Sequence, residues 1–402
     1  MMQRSELLAA IDQCVLCGLC LPHCPTFLAE GREPESPRGR LMLLQAVAKG
    51  EIAPTEVDQT ALNHCLLCRN CETHCPSQVR YSEIVVAARA SILPLPADGG
   101  RERLLDAVAH PRSLALLGQM GQWYQKSGLQ RVVRRRGWVR GELARLESLL
   151  PDYRPLPLEP LPQPSTQQGR VALFRGCMGN QLEPVALEAA KRLLQSCGFE
   201  VVEFTQPQCC GALHSHAGEI EQGDRLALAT LAQLERSGAD WLVGVSSSCI
   251  AQLLSFAALD KITTVEALLL RYWPNAWQPA PLSGSYALHT PCSNRNRLNN
   301  SAEAVELLTK IPQLVWQRLP VDGCCGAGGS HLLSDPEHAA SFAIAPLQWL
   351  QQQPLGAIIS TNIGCTLHLG AEARRRGVEI ALYHPLELLL RSLLNSPSLP
   401  PH

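Results

Sequence analysis

The sequence lacks a long hydrophobic run and has almost no net charge. No uninterrupted stretch of about 18 apolar residues occurs, so we expect no transmembrane segment. The 35 basic and 36 acidic residues leave a formal charge of −1, so the molecule as a whole has no electrostatic attraction to nucleic acid or to anionic lipid. We therefore expect no nucleic-acid partner.

Familiar catalytic motifs are missing as well. The sequence contains no phosphate-binding P-loop, no G-x-S-x-G turn and no H-E-x-x-H metal motif. The glycine-rich GAGGSH after Cys325 does not have the strand–turn–helix context of a dinucleotide fingerprint. We expect no catalytic residue in this chain, which favours one subunit of a larger complex.

We expect no signal peptide, because no apolar region precedes Cys14 in MMQRSELLAAIDQC. Its seventeen cysteines also belong to a chain far larger than the small secreted folds that depend on disulfides. We therefore expect a cytoplasmic protein whose thiols are reduced and bound to metal.

Two copies of one cysteine run lie near the N-terminus. Each is C-x-x-C-x-x-C-x-x-x-C-P, the spacing of cubane iron–sulfur sites, in which the fourth cysteine ligates the other cluster of the pair. Zinc also takes four thiolates, but usually from two separate C-x-x-C knuckles. The predicted ligands are Cys14, Cys17, Cys20 and Cys75 for one 4Fe–4S cluster, and Cys65, Cys68, Cys71 and Cys24 for the second.

A helical pattern separates the two runs. The segment LMLLQAVAKGEIAP has helical length and ends at glycine and proline, unlike the short strands of a compact two-cluster ferredoxin. We predict an α-helical ferredoxin-type domain over residues 1–90. Arg38 and Arg40 lie in the same interval, either as positive charge near the clusters or as part of a helix start after Pro37.

Residues 91–168 are predicted to form a helical connector and a proline-rich linker. The basic segment 126–150 has an amphipathic helical pattern, whose charged face is either solvated or placed on a membrane or a partner. Residues 151–168 carry many prolines and no hydrophobic period, which is typical of a semi-extended tether.

Alternating strands and helices follow, and the pattern occurs twice. It predicts two α/β units, residues 169–282 and 283–395, with mostly parallel sheets. In both units the cysteines follow strand ends, where open α/β sheets bind ligands. The predicted metal ligands are Cys177, Cys209, Cys210 and Cys249 in the first unit, and Cys292, Cys324, Cys325 and Cys365 in the second.

The residues alone leave the metal of these two sites open. A cubane cluster, a larger non-cubane cluster and zinc all fit four thiolates, so we expect one or two further iron–sulfur clusters, or zinc. A glycine after each adjacent cysteine pair supplies the backbone freedom that such a site needs.

Two histidines recur at equal positions near these sites. His216 and His331 each lie six residues after the second cysteine of a pair, in a Ser-His dipeptide. Each either hydrogen-bonds a metal-bound sulfur or relays protons, or is an incidental neighbour of a helix-capping serine. Cys197 lies outside both patterns and is interpreted as a small buried apolar residue.

With these motifs, the chain resembles the iron–sulfur subunits of bacterial glycolate oxidase (glycolate dehydrogenase). The resemblance covers nearly the whole length, through PRGR, LCRNCETHCPSQVRY, the repeated CCG elements and TNIGCTLHL. It implies an oxidoreductase subunit that is inactive alone. Flavoprotein partners would oxidise a 2-hydroxy acid, and this subunit would pass electrons toward quinone from a peripheral position on the inner face of the membrane.

The duplicated CCG domain also resembles a broader class that includes heterodisulfide reductase catalytic subunits. In that class each CCG unit ends with C-x-x-C, which supplies a fifth cysteine to a non-cubane cluster. Ser246 and Asn362 stand at the corresponding positions here. Electron transfer is therefore predicted over heterodisulfide reductase-like thiol chemistry, which is the alternative, and over a zinc-stabilised scaffold.

Overall fold

Helices form the first part of the chain, and two parallel sheets covered by helices form the second. The computed structural model describes residues 2–394 except 57, 58, 110, 153, 158, 163, 165, 205, 207, 257–259, 322 and 323. The predicted fold class, an α-helical ferredoxin-type domain followed by a duplicated α/β domain, is confirmed.

The N-terminal region is built around one amphipathic helix between the cysteine runs. Ser36 caps this helix by accepting a hydrogen bond from the Gly39 amide at 2.9 Å, and Pro37 occupies its first position, as predicted. The helix ends at Gly50, whose φ is 79°. The helices of this region are α1 (Arg4–Ile11), α2 (Pro25–Glu30), α3 (Pro37–Lys49), α4 (Thr60–Asn63), α5 (Asn70–Thr73) and α6 (Tyr81–Ser91).

The connector is helical, but its basic segment is not one helix. Gly137 and Gly141 have φ values of 61° and 62°, a left-handed conformation that interrupts a helix. The predicted amphipathic helix over 126–150 is therefore two short ones. The connector consists of α7 (Gly99–Ala109), α8 (Pro111–Lys126), α9 (Leu129–Arg136) and α10 (Gly141–Ser148).

The proline-rich linker has no helix or strand in its described residues, but it is anchored rather than free. The Arg154 guanidinium lies 4.5 Å from the ring centroid of Tyr383 and donates to the Leu382 carbonyl at 3.0 Å. Leu161 is buried in the core of the α/β region. The segment predicted as a semi-extended tether therefore also packs on the α/β region.

The first α/β unit holds a four-stranded, all-parallel sheet in the order β2-β1-β3-β4. Its strands are β1 (Gly169–Phe174), β2 (Phe199–Val202), β3 (Trp241–Gly244) and β4 (Ile262–Thr264). Its helices are α11 (Gly179–Leu182), α12 (Pro184–Ser196), α13 (Ala212–Ala217), α14 (Ile220–Ser237), α15 (Ser247–Leu253) and α16 (Val265–Arg271).

The second unit repeats this topology, with strand order β6-β5-β7-β8 and parallel pairing throughout. Its strands are β5 (Ser285–Leu288), β6 (Val315–Arg318), β7 (Ala357–Ile359) and β8 (Ala381–Tyr383). Its helices are α17 (Ser301–Thr309), α18 (His331–Ser334), α19 (Pro336–Gln351), α20 (Ile363–Arg375) and α21 (Pro385–Leu393), and a π-helical turn covers Asn294–Leu298.

The two units share one hydrophobic core. Helix α12 of the first unit packs on α21 of the second, and α16 packs on α17. The fully buried Leu193 and Leu389 belong to this common core. At the strand ends the Ser247 amide donates to the Thr361 carbonyl at 2.9 Å, so both cysteine sites lie on the same side of the pair. The four predicted domain ranges stay a prediction.

Candidate metal centres

The two N-terminal cysteine runs have the same backbone conformation. Leu16 and Leu67, which precede the second cysteine, have φ values of 56° and 49°. Gly18 and Arg69, which follow it, have φ values of 81° and 59°. Non-glycine residues in this region are strained by roughly 1–3 kcal/mol each and persist only where the surroundings require it. The repeated strain fits a loop shaped around a cluster.

The first predicted ligand set lines a single surface cavity. The first three cysteines of one run and the fourth of the other meet there, although 40 residues of chain lie between the two runs. Burial raises the pKa of the Cys20 thiol, so ionisation of this thiol requires a nearby cation. The cysteines that line the cavity are Cys14, Cys17, Cys20 and Cys75.

Positive charge borders this cavity. Arg38 also lines it, pairs with Glu33 at 2.7 Å and has its Nη1 3.5 Å from the Leu16 carbonyl. A side chain on Gly18 would meet this guanidinium, because the position of a Cβ there is 2.7 Å from Arg38 Nη1. The cavity therefore has the thiols, the loop shape and the charge that fit an anionic cluster.

The second predicted ligand set lies deeper. Cys24, Cys65 and Cys71 are buried. Burial raises the pKa of Cys71, and the neighbouring Cys68, Cys65 and Cys24 raise it further. The crossed arrangement that the spacing predicts is therefore the grouping that the fold brings together, while the ligand assignment itself stays a prediction.

A buried cation lies beside the second set. The Arg40 guanidinium is 1% exposed, pairs with the fully buried Glu35 at 2.7 Å and lies 3.9 Å from the Cys24 sulfur. It also donates to Thr26 Oγ1 at 2.9 Å and to the Ala61 carbonyl at 2.6 Å. Of the two explanations for this arginine, charge near the cluster ligands is the one that its position supports.

In the first α/β unit the four predicted cysteines are in contact. Thiol–thiol contacts link Cys177 to Cys209, Cys209 to Cys210 and Cys210 to Cys249. The contact with Cys209, together with burial, raises the pKa of Cys177. Gly211 has a φ of 76°, and a Cβ there would lie 2.0 Å from the Gly223 carbonyl oxygen. The predicted need for glycine after the cysteine pair is thus met by a left-handed turn.

The second unit repeats the contact from Cys292 through Cys324 and Cys325 to Cys365. Gly326, with a φ of 96°, repeats the turn, since a Cβ there would lie 2.3 Å from the Ala339 carbonyl oxygen. Four neighbouring thiols fit a cluster or zinc.

The last cysteine of each unit lies on a helix rather than on a strand. Strand β3 ends at Gly244 and β7 ends at Ile359, so Cys249 and Cys365 follow the strand ends at a distance of five and six residues. Both cysteines occupy the first turn of a helix, where the amide dipoles favour a thiolate. Asn362 caps the second of these helices by accepting hydrogen bonds from Gly364 and Cys365.

The second N-terminal set lies against the second α/β site. Burial raises the pKa of the Cys68 thiol, and the nearby Cys292 thiol raises it further. The Asn296 amide donates to the Cys68 carbonyl at 2.8 Å, and Leu66 belongs to the same core cluster as Cys324 and Cys365. Three of the four candidate sites therefore follow one another from the surface inward: the Cys14 cavity, the group around Cys68 and the group around Cys292.

The two histidines at equal positions have different surroundings. His331 Nε2 lies 2.8 Å from His338 Nδ1, whereas the His216 ring faces the backbone of Gly329. Burial lowers the pKa of His216 to about 4 and that of His331 to about 3, so both rings are neutral near pH 7. A hydrogen bond from either ring to sulfur stays a prediction.

Sequence reasoning missed one histidine at the second α/β site. A ring nitrogen of His289 lies within 4.8 Å of the Cys325 and Cys365 sulfurs. Its Nδ1 lies 3.0 Å from Ser360 Oγ, and burial lowers its pKa to about 3. The equivalent residue of the first unit is Phe174. A polar residue at the end of the apolar segment SYAL, three positions before Cys292, was the available signal.

Comparison with known families agrees with this architecture. Residues 10–79 match the 4Fe-4S dicluster domain, and residues 171–254 and 286–370 each match the cysteine-rich CCG domain. Residues 99–150 match the linker region of the glycolate oxidase iron-sulfur subunit. The fold and the cysteine sites therefore define an iron–sulfur protein with a dicluster domain and a duplicated cysteine-rich domain.

Relatives that match over nearly their whole length identify the family within this class of iron–sulfur proteins. The chain is 30% identical to the "Glycolate oxidase iron-sulfur subunit" of Escherichia coli, over 94% of this chain and 96% of the relative. It is 29% identical to the "Probable glycolate oxidase iron-sulfur subunit" of Bacillus subtilis, over 97% and 95%. The chain belongs to the family of glycolate oxidase iron–sulfur subunits.

More distant similarities concern the wider class. One of the heterodisulfide reductase subunits from Methanosarcina barkeri is 22% identical over 83% of this chain and 82% of the relative. A crystal structure of a hypothetical protein from Helicobacter pylori has a TM-score of 0.57 at 10% identity, covering 98% of this chain and 77% of that one, and shows likeness of fold alone. Within the described residues, no helix has both the length and the apolar character to span a bilayer.

The crossed ligand sets predict which cysteine substitutions act on the same cluster. Replacing Cys14 and Cys75 together by alanine should remove about four iron atoms per chain, no more than either single change, because both belong to one cubane site. Replacing Cys14 and Cys24 together should remove about eight. Iron and sulfide analysis of the anaerobically reconstituted full chain measures both losses.

Cys197→Ala is the matched control, since this cysteine is buried away from all four groups and should keep the full iron content. Uncrossed sets would reverse the result, so that the Cys14 and Cys75 double variant lost about eight iron atoms.

His289→Phe gives the second α/β site the residue that the first unit has at the equivalent position, Phe174. If the imidazole helps to hold the second site's cofactor, the variant should release that cofactor to a chelator at least about tenfold faster. Tyr286→Phe, a change in strand β5 just before His289, should leave the release rate unchanged. Equal rates for the His289 variant and the wild type would exclude a ligand role for His289.

Proposed function

We propose that this chain is the electron-transfer subunit of a glycolate oxidase complex, taking electrons from flavoprotein partners and passing them toward quinone. The observation that carries the proposal is the succession of cysteine groups, from the surface cavity at Cys14 to the buried group at Cys68 and on to the adjoining group at Cys292. Thiolate-bound clusters in such a row pass single electrons over short steps.

The chemistry of the substrate requires partners. Oxidising glycolate or another 2-hydroxy acid removes a hydride equivalent, which a flavin accepts and then gives up as single electrons. The proposed roles of this chain are to hold two 4Fe–4S clusters through the crossed cysteine sets and one or two further metal centres in the α/β units. Arg38 and Arg40 place positive charge beside the N-terminal clusters, which favours their reduced, more negative state.

The surface cavity has an apolar rim suited to a partner. Val15, Leu16 and Leu19 are 68%, 47% and 55% exposed, on the loop that carries Cys14, Cys17 and Cys20. Large apolar side chains grouped on one exposed loop mark an interaction site. We propose that a flavoprotein partner docks here, which would bring its flavin within electron-transfer range of the first cluster.

A second surface supports a peripheral membrane position. Trp123, Trp138 and Leu143 are exposed on the connector, and the exposed Arg135 and Arg136 lie on α9 between the two tryptophans in sequence. Aromatic and basic side chains on short amphipathic helices bind the interface of anionic bilayers. We propose that the connector rests on the cytoplasmic face of the membrane, where quinone is available.

The heterodisulfide alternative is supported by the relative from Methanosarcina barkeri. Against it, the position of the fifth thiolate is Ser246 in the first unit and the helix-capping Asn362 in the second. Cleaving a disulfide at a non-cubane cluster would need that ligand, so electron transfer remains the better-supported function.

The purified, flavin-free chain should show no glycolate-dependent dye reduction, and its clusters should be reduced rapidly by glycolate once flavoprotein subunits are added. The reason is that a 2-hydroxy acid gives up a hydride equivalent, which a flavin accepts, whereas a thiolate-bound cluster accepts single electrons. Stopped-flow absorbance of the clusters measures the rate. Glycolate-dependent reduction by the chain alone would contradict the proposal, and disulfide reduction with an artificial electron donor would support the alternative.

In the same assay, Leu19→Glu should raise the flavoprotein concentration needed for half-maximal cluster reduction by about tenfold, because a carboxylate would be buried in the apolar contact. Leu228→Glu is the control, since Leu228 is 53% exposed on α14 of the first α/β unit. Equal effects of the two changes would place the docking surface elsewhere.

Membrane binding depends on the charge of the connector. Arg135→Gln combined with Arg136→Gln should weaken cosedimentation with vesicles of phosphatidylglycerol and phosphatidylcholine about tenfold or more, at roughly 1 kcal/mol for each basic residue. Arg236→Gln, which removes an exposed charge on α14, should have little effect. Binding of the double variant equal to that of the wild type would exclude this surface.

A further inference from the structure

A cluster of imidazoles lies where the N-terminal region meets the second α/β unit. His64, the residue before Cys65, stacks on His338 of α19 with ring centroids 3.7 Å apart and planes 14° apart. Asp335, at the start of the same helix, places its Oδ2 3.3 Å from His64 Nε2. The three side chains come from two regions that are far apart in the sequence.

Their ligand atoms lie close enough together to bind one ion, for which the stacked rings must tilt apart so that both lone pairs, which lie in the ring planes, point at it. A nitrogen of His64, a carboxylate oxygen of Asp335 and a nitrogen of His338 all lie within 4.8 Å of one another. His338 Nε2 is buried and has no hydrogen-bond partner among the described residues. A buried ring nitrogen without a partner is costly and needs an explanation, and a missing ion is one of the standard explanations.

The other ring nitrogen of each histidine is already engaged. His64 Nδ1 lies 2.8 Å from Oε1 of the fully buried Glu35, and His338 Nδ1 lies 2.8 Å from His331 Nε2. Metal-binding histidines almost always use the second ring nitrogen in this way, most often with a carboxylate or a carbonyl, which fixes the orientation of the ring. This arrangement also gives His331 a role other than contact with a cluster sulfur.

We propose that His64, Asp335 and His338 form a zinc site separate from the four cysteine groups. Two imidazole nitrogens and one carboxylate oxygen are a ligand set that zinc accepts, with a fourth position open to water. The ion ties the loop that carries Cys65 and Cys68 to the helix that begins at Asp335. It thereby holds the second N-terminal group against the second α/β unit.

The competing explanation is a purely organic contact, in which a protonated His64 lies between Glu35 and Asp335 and His338 only stacks on it. The two explanations differ in metal content and in ligand type. Zinc in the cysteine groups would be bound by sulfur, whereas zinc at the proposed site has nitrogen and oxygen neighbours at about 2.0–2.2 Å.

The test compares zinc in the full-length, anaerobically reconstituted protein after saturation with Zn²⁺ and removal of free metal. His338→Gln should hold about one zinc ion fewer per chain than the wild type, with iron and sulfide unchanged. Zinc-edge X-ray absorption should lose its nitrogen and oxygen contribution and keep any sulfur contribution. Unchanged iron and sulfide also show that the variant folds.

Asp335→Asn is a second variant, because asparagine still caps α19 but gives the ion a weaker, uncharged ligand. It should lower zinc affinity at least about tenfold. His384→Gln, which changes a buried histidine outside the cluster, should keep the wild-type zinc content. Equal zinc in the wild type and His338→Gln, or an equal loss in His384→Gln, would overturn the proposal.

Discussion

The gathering of cysteine thiols in places where burial opposes their ionisation is the constraint on which the rest of the structure depends. Burial raises the pKa of Cys20, Cys68 and Cys71, and a thiol of this kind becomes a thiolate only when a cation compensates the lost hydration. The loops that carry these residues accept backbone strain at Leu16 and Leu67. We infer that cluster insertion and folding of the N-terminal region are coupled.

Duplication in the second half solves a different physical problem. A four-stranded parallel sheet needs cover on both faces, and the two units supply it to each other through the common core of α12, α16, α17 and α21. The same packing brings both sets of strand ends together. The units have nevertheless diverged, since His289 lies beside the cysteines of one and Phe174 occupies the equivalent place in the other. Their metal centres are therefore not expected to be identical.

Hydrogen bonds between the N-terminal helical region and the α/β units fix the position of the second cysteine run. Arg89 donates to the Cys65 carbonyl at 3.0 Å and to the His216 carbonyl at 2.8 Å, and Asn296 reaches the Cys68 carbonyl. Backbone carbonyls of the second cysteine run are thus held by side chains of neighbouring elements. These hydrogen bonds fix the position of the second cysteine run, as the proposed row of electron carriers requires.

The sequence by itself determined the two kinds of cysteine pattern, the helical and α/β character of the two halves, the duplication and the glycines after the cysteine pairs. These features follow from the spacing and periodicity of residues close together in the sequence, so they can be recognised before the tertiary structure is known. The ends of the strands were not predicted, because segments of three to six residues give no clear period. Only the tertiary structure decided three contacts. His289 lies beside the Cys325 and Cys365 sulfurs, Arg154 packs on Tyr383, and His64 meets Asp335 and His338. Each depends on residues distant in sequence, whose approach is set by packing of the whole chain and leaves no local signal.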